Sequence, residues 1–339
     1  MIPSTVPPSS AMIAKRKGIV ASRFTMEIDS LIAEIISDNI SGAQELTSKA
    51  GSLVCRFTEE KRSSTLEELR GALLAVGVTL LRAQPALAPF FNLLDRALPE
   101  LDLAPNGLAA AQAIHRATQA FIEKMEANNQ TISAYIFHLI KEGDVVLTHS
   151  ASRSVREALS HCWKKGKRFS VICTESRPAC EGALLARHLA EQGIPTTLTT
   201  DALPPSLMTV PRHTHKEISI VLVGADSVSL HGLTNKAGTL GLAMAARDCS
   251  IPFYALAGSE KFIPSTFSPD RTIQDKPPEE ILASPPEELK IINRYFDITP
   301  LPYLTAVVTE KGTLRPRDLI AYLEKLTPHP QLIAALSEQ

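Results

Sequence analysis

The sequence predicts an α/β protein in which a helical N-terminal half precedes a mainly parallel sheet covered by helices. Three observations carry this expectation. The first part of the chain repeats apolar residues three and four apart. From Gly143 onward, short β-branched runs replace that period. Between most of those runs lie helical segments.

Residues 1–21 are expected to be a flexible tail. The stretch MIPSTVPPSSAMIAKRKG is rich in proline and serine and has no apolar h-region, so it does not read as a secretory signal. Its basic run, 15–17, reads as a solvated cluster. Residues 22–141 are expected to form a helical domain. FTMEIDSLIAEIISD and SSTLEELRGALLAVGVTLLRA carry the helical period, and GLAAAQAIHRATQAFIEKMEANN is rich in alanine and strong helix formers. Ser64 or Thr65 ahead of LEEL resembles a capping arrangement.

Residues 142–330 hold the strand-like runs: DVVLTH (144–149), FSVICT (169–174), IPTTLTT (194–200), ISIVLVG (218–224), IPFYALA (251–257) and YLTAVVTE (303–310). The first four start about 25 residues apart, with helical segments such as SRSVREALSHCWKK, RPACEGALLARHLAEQG and NKAGTLGLAMAARDC in the gaps. That alternation argues for βαβ units, whose right-handed crossovers build a parallel sheet. The runs lack polar alternation, as strands covered on both faces should. The expectation is therefore a Rossmann-like domain. Within it, the proline-broken interval 264–302 should be a long surface excursion and not a further βα unit. PRDLIAYLEKL follows the last strand and closes the domain.

Composition bounds the function. A chain of 339 residues, 44% hydrophobic and 21% charged, is long enough for about two packed domains. A formal net charge of −1 gives no bulk electrostatic reason to bind nucleic acid or an acidic membrane, and neither is expected as a partner. No apolar run approaches the roughly 20 residues that span a bilayer. The five cysteines, Cys55, Cys162, Cys173, Cys180 and Cys249, are odd in number and form no CxxC pair. That supports neither a disulfide framework nor a zinc site and makes a reducing cytoplasm the simplest setting. His213 and His215 have a metal-like spacing without a third ligand in view, so no metal and no cofactor are expected.

Ligands of open α/β sheets gather at the C-terminal ends of the strands, near a switch in strand order. Here those ends read THSASR, TESRP, TTD, GAD and AGSEK. Arg177 could grip a phosphate bidentately, and Asn235 and Lys236 stand just before a helix start at Gly238 and Thr239 that would favour an anion. Neither GxGxxG nor GxxxxGK[ST] occurs, so the ligand expected is a phosphorylated small molecule, a sugar phosphate or a nucleotide. Plainer roles stand beside these. Ser150 or Ser152 could cap the next helix, Asp226 could cap or turn, Arg177 could be a solvent loop residue, and Cys173 and Cys180 could be small buried hydrophobes.

The pieces DVVLTHSASRSV, FSVICTESRPACEG, VLVGADSVSLHGLTNKAGT, IPFYALAGSEKF and FDITPLPYLTAVVTEKGTLRP resemble, in order and spacing, one superfamily. It contains the alpha, beta and delta subunits of eukaryotic initiation factor 2B, methylthioribose-1-phosphate isomerase and ribose-1,5-bisphosphate isomerase. The resemblance spans roughly residues 120–325 and implies a helical domain on a Rossmann-like domain, with homodimerisation through the latter. In the isomerases it implies two acid/base residues, a cysteine at the end of the first strand and an aspartate in GAD. Asp226 matches the aspartate, whereas Ser150 stands at the cysteine position. A serine hydroxyl is a far weaker acid than a thiol and needs a neighbouring base. His149, adjacent on the strand, should face the other way. The isomerases' phosphate-binding RGA-like segment is best matched by Ser41-Gly42-Ala43, while Arg70-Gly71-Ala72 resembles a helix of the initiation-factor alpha subunit.

Two readings follow. In the first, the chain is an initiation-factor-2B-related binding or regulatory protein whose ligand meets His149, Arg153, Arg177, Asn235 and Lys236. In the alternative it is an aldose–ketose isomerase with Asp226 and Ser150 in the catalytic positions. A structural subunit in which the pocket is a relic is a third.

Overall fold

The computed structural model describes residues 28–38, 42–209, 217–264 and 273–337. The expected tail 1–21 and the pair His213 and His215 lie outside them.

The N-terminal half is helical. Helix α1 is described over residues 28–37 and is followed by α2 (Ala43–Glu60), α3 (Leu66–Ala83), α4 (Ala88–Leu103) and α5 (Gly107–Leu139). Thr65 provides the cap anticipated ahead of LEEL. Its hydroxyl accepts the Glu68 N–H at 3.2 Å while the Glu68 carboxylate accepts the Thr65 N–H at 2.9 Å. This reciprocal pair satisfies two donors that a helix start otherwise leaves open. Asn106 caps α5 one way only, its side-chain oxygen accepting the Ala109 N–H. The periodic apolar faces meet in one core that includes Leu53, Leu69, Leu73, Phe90, Phe91, Leu98 and Ile114.

The second half alternates as the sequence predicts. In order come β1 (Val145–His149), α6 (Arg153–Lys164), β2 (Ser170–Thr174), α7 (Glu181–Glu191), β3 (Thr196–Thr199), α8 (Pro204–Thr209) and β4 (Ile220–Val223). They are followed by β5 (Ser227–Ser229), β6 (Gly232–Lys236), α9 (Thr239–Asp248), β7 (Phe253–Leu256), β8 (Phe296–Thr299), β9 (Ala306–Thr309), β10 (Gly312–Leu314), α10 (Pro316–Leu323) and α11 (Pro330–Ser337). The main sheet runs β10-β9-β7-β4-β1-β2-β3 and is parallel except for the β9–β10 hairpin. One face packs on α6, α7 and the C-terminal part of α5 through residues such as Ile132, Ile136, Leu159 and Leu189. The other packs on α9 and α10 through Leu242, Ala246, Leu319 and Leu323. α5 thus belongs to both halves, since Ile114 and Phe121 sit in the helical core.

β1 pairs with β2 on one side and with β4 on the other. The chain leaves β1 in one direction and resumes beyond it in the opposite one, so the switch in strand order falls between β1 and β4.

The structure adds to two readings. GLTNK leads into α9 at Thr239, as the sequence suggests, and is itself the central strand of a second sheet, β5-β6-β8. The proline-rich interval is also not purely an excursion. Between Pro286 and Pro300 the chain is free of proline, and Phe296–Thr299 uses that stretch to pair antiparallel with β6. Strands of three to five residues within loop-like composition carry too little periodicity to be recognised. Among the described residues, no helix is long and apolar enough to cross a membrane.

Candidate functional site

A cavity of about 170 Å³ opens at the switch point. Its wall draws on the ends of β1, β4 and β6, the first turn of α6, and the Gly42–Leu46 start of α2. Lys276, Tyr295 and Phe296 of the proline-rich interval complete it.

The wall at β1 rests on a strained loop. Ser150 has φ +70°, and its N–H donates to the Ser176 hydroxyl at 2.8 Å. Ser176, itself at φ +64°, donates its N–H to one Asp201 oxygen while the Arg177 N–H donates to the other, both at 2.7 Å. Left-handed backbone at non-glycine residues persists only where its surroundings over-determine it, and such positions cluster at functional sites. Gly182 allows the close fit behind this loop: a Cβ there would stand 2.0 Å from the Thr174 carbonyl oxygen and 2.6 Å from the Ser176 hydroxyl.

Five of the residues named from sequence line the cavity: Ser150, Arg153, Asp226, Asn235 and Lys236. Their charges are largely spent on neighbours. Arg153 donates to Glu157 at 2.6 Å and Glu126 at 3.3 Å. Lys236 pairs with Glu181 at 2.7 Å and lies over the Tyr295 ring, whose hydroxyl donates to Glu280. Asn235 donates to the Thr239 hydroxyl.

His149 and Arg177, also expected at the ligand, are not among the residues lining this cavity. His149 is buried in the sheet. Its Nε2–H donates to the Ala237 carbonyl at 2.9 Å, so its Nδ1 accepts the Thr174 hydroxyl at 2.6 Å. Burial, opposed by the Ala237 contact and the nearby carboxylates, lowers its pKa, and the ring is a neutral structural link. Arg177 is exposed, because the turn at Ser176 directs the loop's backbone, and not the guanidinium, to its anchor at Asp201.

Asp226 follows β4 and has a pKa raised to about 6, chiefly by burial. Lys261 and Lys236 pull it down, and Glu181 pushes it further up. A carboxyl near this value can hold or release a proton close to neutrality. No cysteine supplies a thiolate in the sheet beneath: the Cys173 thiol is pushed up to about 12 by burial.

Sequence reading missed two groups here. Lys261 ends a 3₁₀ turn, Ser259–Lys261, beyond β7. Only 7% exposed, it reaches the cavity wall, yet its ammonium makes no hydrogen bond or ion pair among the described residues. Burial lowers its pKa, against the pull of Asp226 and Glu260. Glu181, the first residue of α7, accepts both Lys236 and the Ser150 hydroxyl, the latter at 3.1 Å. The strand end AGSEK marked the position of Lys261. Nothing marked Glu181, whose place depends on how α7 enters.

Gly42 and Ala43 are on the cavity wall, at the start of α2. Arg70 is not. It donates to Asp102 and to Gln331 of α11, so Arg70-Gly71-Ala72 belongs to a helix contact. Ser41 lies outside the described residues.

Comparison with known proteins places this geometry among relatives. The model of the initiation factor 2 subunit family matches residues 39–316. A ribose 1,5-bisphosphate isomerase of Methanocaldococcus jannaschii is 32% identical over 263 residues, covering 76% of this chain and 82% of its own. The crystal structure of a translation initiation factor eIF-2B from Pyrococcus horikoshii superimposes with a TM-score of 0.74 at 29% identity, covering 86% of this chain and 98% of its own. The 5-methylthioribose 1-phosphate isomerase of the same organism shares the fold, with a TM-score of 0.68 at 24% identity over 88% of each chain.

Proposed function

The chain belongs to the initiation factor 2 subunit family, and from that premise we propose that it binds a phosphorylated sugar in the cavity at the switch point. The observation that carries the reading is Lys261. A buried ammonium with no carboxylate at ion-pair distance among the described residues is costly, and an anion arriving in the cavity relieves that cost. α2 supports the same anion. Its N-cap is Gly42, no side chain caps it, and its first residues face the cavity. Open N–H groups and the helix dipole both favour negative charge there. The phosphate therefore sits between Lys261 and the start of α2.

The test is calorimetric titration of the full chain with ribose 5-phosphate, ribose 1-phosphate and ribose 1,5-bisphosphate, for the wild type and Lys261→Met. Losing one charge-assisted contact of ~1.5–3 kcal/mol should weaken binding by about 10- to 150-fold. Equal affinity in the two proteins would overturn the assignment.

A second reading, aldose–ketose isomerisation, is favoured by Asp226, which is half-protonated near pH 6 on the same wall as Ser150. Relatives named as ribose 1,5-bisphosphate isomerases point the same way. Proton NMR in deuterated water tests it: ketose, or deuterium at carbon two, lost in Asp226→Asn, is the expected result. Unchanged turnover in that variant would remove Asp226 from the chemistry.

A further inference from the structure

We infer that Asn92 is a positioning residue for the ligand: from α4 it holds the Ser259–Lys261 turn in the orientation that keeps Lys261 on the cavity wall. The inference rests on the reading of the cavity as a phosphosugar site and deepens it.

The turn has two sides. Lys261 lines the cavity at the switch point. Glu260, next to it in the chain, lines instead a small crevice against α4 and α5 that Arg96, Lys124 and Asn128 share. There its Oε2 accepts the Asn128 amide N–H at 2.7 Å. Rolling the turn about its own axis would exchange the two side chains. The ammonium would then meet Arg96 and Lys124, and a carboxylate would reach the cavity.

Asn92 opposes that roll. Its Nδ2 donates to the Glu260 carbonyl at 2.7 Å and to the Phe262 carbonyl at 2.8 Å, the carbonyls of the residues on either side of Lys261. A primary amide has two N–H bonds, and these contacts use both, with the Ala88 carbonyl a longer third at 3.2 Å. Other groups fix only the ends of the turn. Glu310 accepts the Ser259 hydroxyl at 2.6 Å, and the Ile263 N–H donates to the Val228 carbonyl of β5 at 3.0 Å. The start of α4 also holds Asp226, whose backbone carbonyl accepts the Ala88 N–H at 3.3 Å. One turn of α4 thus sets the places of both Asp226 and Lys261.

Calorimetry on the full chain uses ribose 5-phosphate, ribose 1-phosphate and ribose 1,5-bisphosphate as probes against wild type, Asn92→Leu, Lys261→Met and the double variant. Leucine is close to asparagine in size and donates nothing. Asn92→Leu should weaken the tightest probe by about tenfold, but by less than about twofold once Lys261 is already methionine, because a group acting through Lys261 then has nothing to place. A second readout needs no ligand. In carbon-13 NMR of aspartate-labelled protein, the Asp226 titration should move up in Asn92→Leu, as in Lys261→Met, because an attracting ammonium has left it. Where Lys261→Met binds too weakly to titrate, this shift decides. Should the leucine variant not fold, Asn92→Ser, which leaves room for water at the two carbonyls, takes its place with the same expectations. Unchanged affinity, an equal loss in both backgrounds, or an unmoved Asp226 titration overturns the inference. If Lys261→Met weakens binding while Asn92→Leu does not, the phosphosugar site stands and the role of Asn92 falls. If no probe binds the wild type, or Lys261→Met binds as tightly as it does, the phosphosugar reading falls, whatever the NMR shows of Asn92.

Discussion

Replacing Asp226 by asparagine should change how folding stability depends on pH. In the folded chain this carboxyl titrates near 6, against 3.8 when unperturbed, because burial outweighs the attraction of Lys261 and Lys236. Between those two values the unfolded chain has released its proton while the folded chain still holds it. Rising pH therefore drains stability from the wild type across that window, and the loss is complete above the folded pKa. At 1.36 kcal/mol per pH unit, the full effect is at most about 3 kcal/mol, of which about 2 kcal/mol develops between pH 4.5 and pH 8. Asp297, also raised to about 6 by burial, contributes a slope of the same sign but remains in the variant, so it cancels in the difference. Urea denaturation of both proteins across that range should show the asparagine variant gaining on the wild type by about 2 kcal/mol. A difference constant to within ~0.5 kcal/mol, a typical error for surface changes, would mean that Asp226 ionises as an ordinary carboxylate. The case for it as an acid near neutrality would then fail.

Three further substitutions probe other links. Gly182→Ala forces a Cβ to 2.0 Å from the Thr174 carbonyl oxygen, and overpacking of this kind should cost about 1–3 kcal/mol in urea denaturation; a neutral result would mean that α7 shifts freely. Arg177→Ala should leave phosphosugar affinity within about twofold in calorimetry, since the exposed guanidinium is off the cavity wall; a loss of about tenfold would return it to the site. Leu98→Ala, at a fully buried position in the helical core, should cost about 2–5 kcal/mol, and a cost below ~1 kcal/mol would mean that the core collapses around the gap.

The fold class was legible because it is written in long-range periodicity. All six strand-like runs are strands of the main sheet, and the helical segments between them are helices. What escaped was short and dependent on partners. β5, β6 and β8 are strands only because they pair with one another, and Asp297 of β8 then holds the start of α9 by accepting the Gly238 and Leu240 N–H groups. The candidate site divides on the same line. Asp226 and Ser150 could be found because strand ends converge at a switch point. The exposure of Arg177 could not be read from sequence, since the direction of its loop is set at Ser176 by contacts to Asp201, a residue of another strand's end. Lys276 and Tyr295 come from composition that predicts only an excursion, and nothing local announces that it returns to the cavity.

The contact between Arg70 and α11 bears on how the protein is made. Leu332 and Leu336 of α11 are buried in the same core as Leu69, Leu73 and Leu98, and Arg70, Asp102 and His329 pin the segment in place. Ribosomes deliver α3 and α4 more than two hundred residues before α11. Domains fold as units during synthesis, and incomplete ones expose apolar surface. The helical half must therefore wait with an apolar flank uncovered until α11 has been translated. Stalled or prematurely ended chains should be chaperone clients even when every residue of α1 to α5 is present.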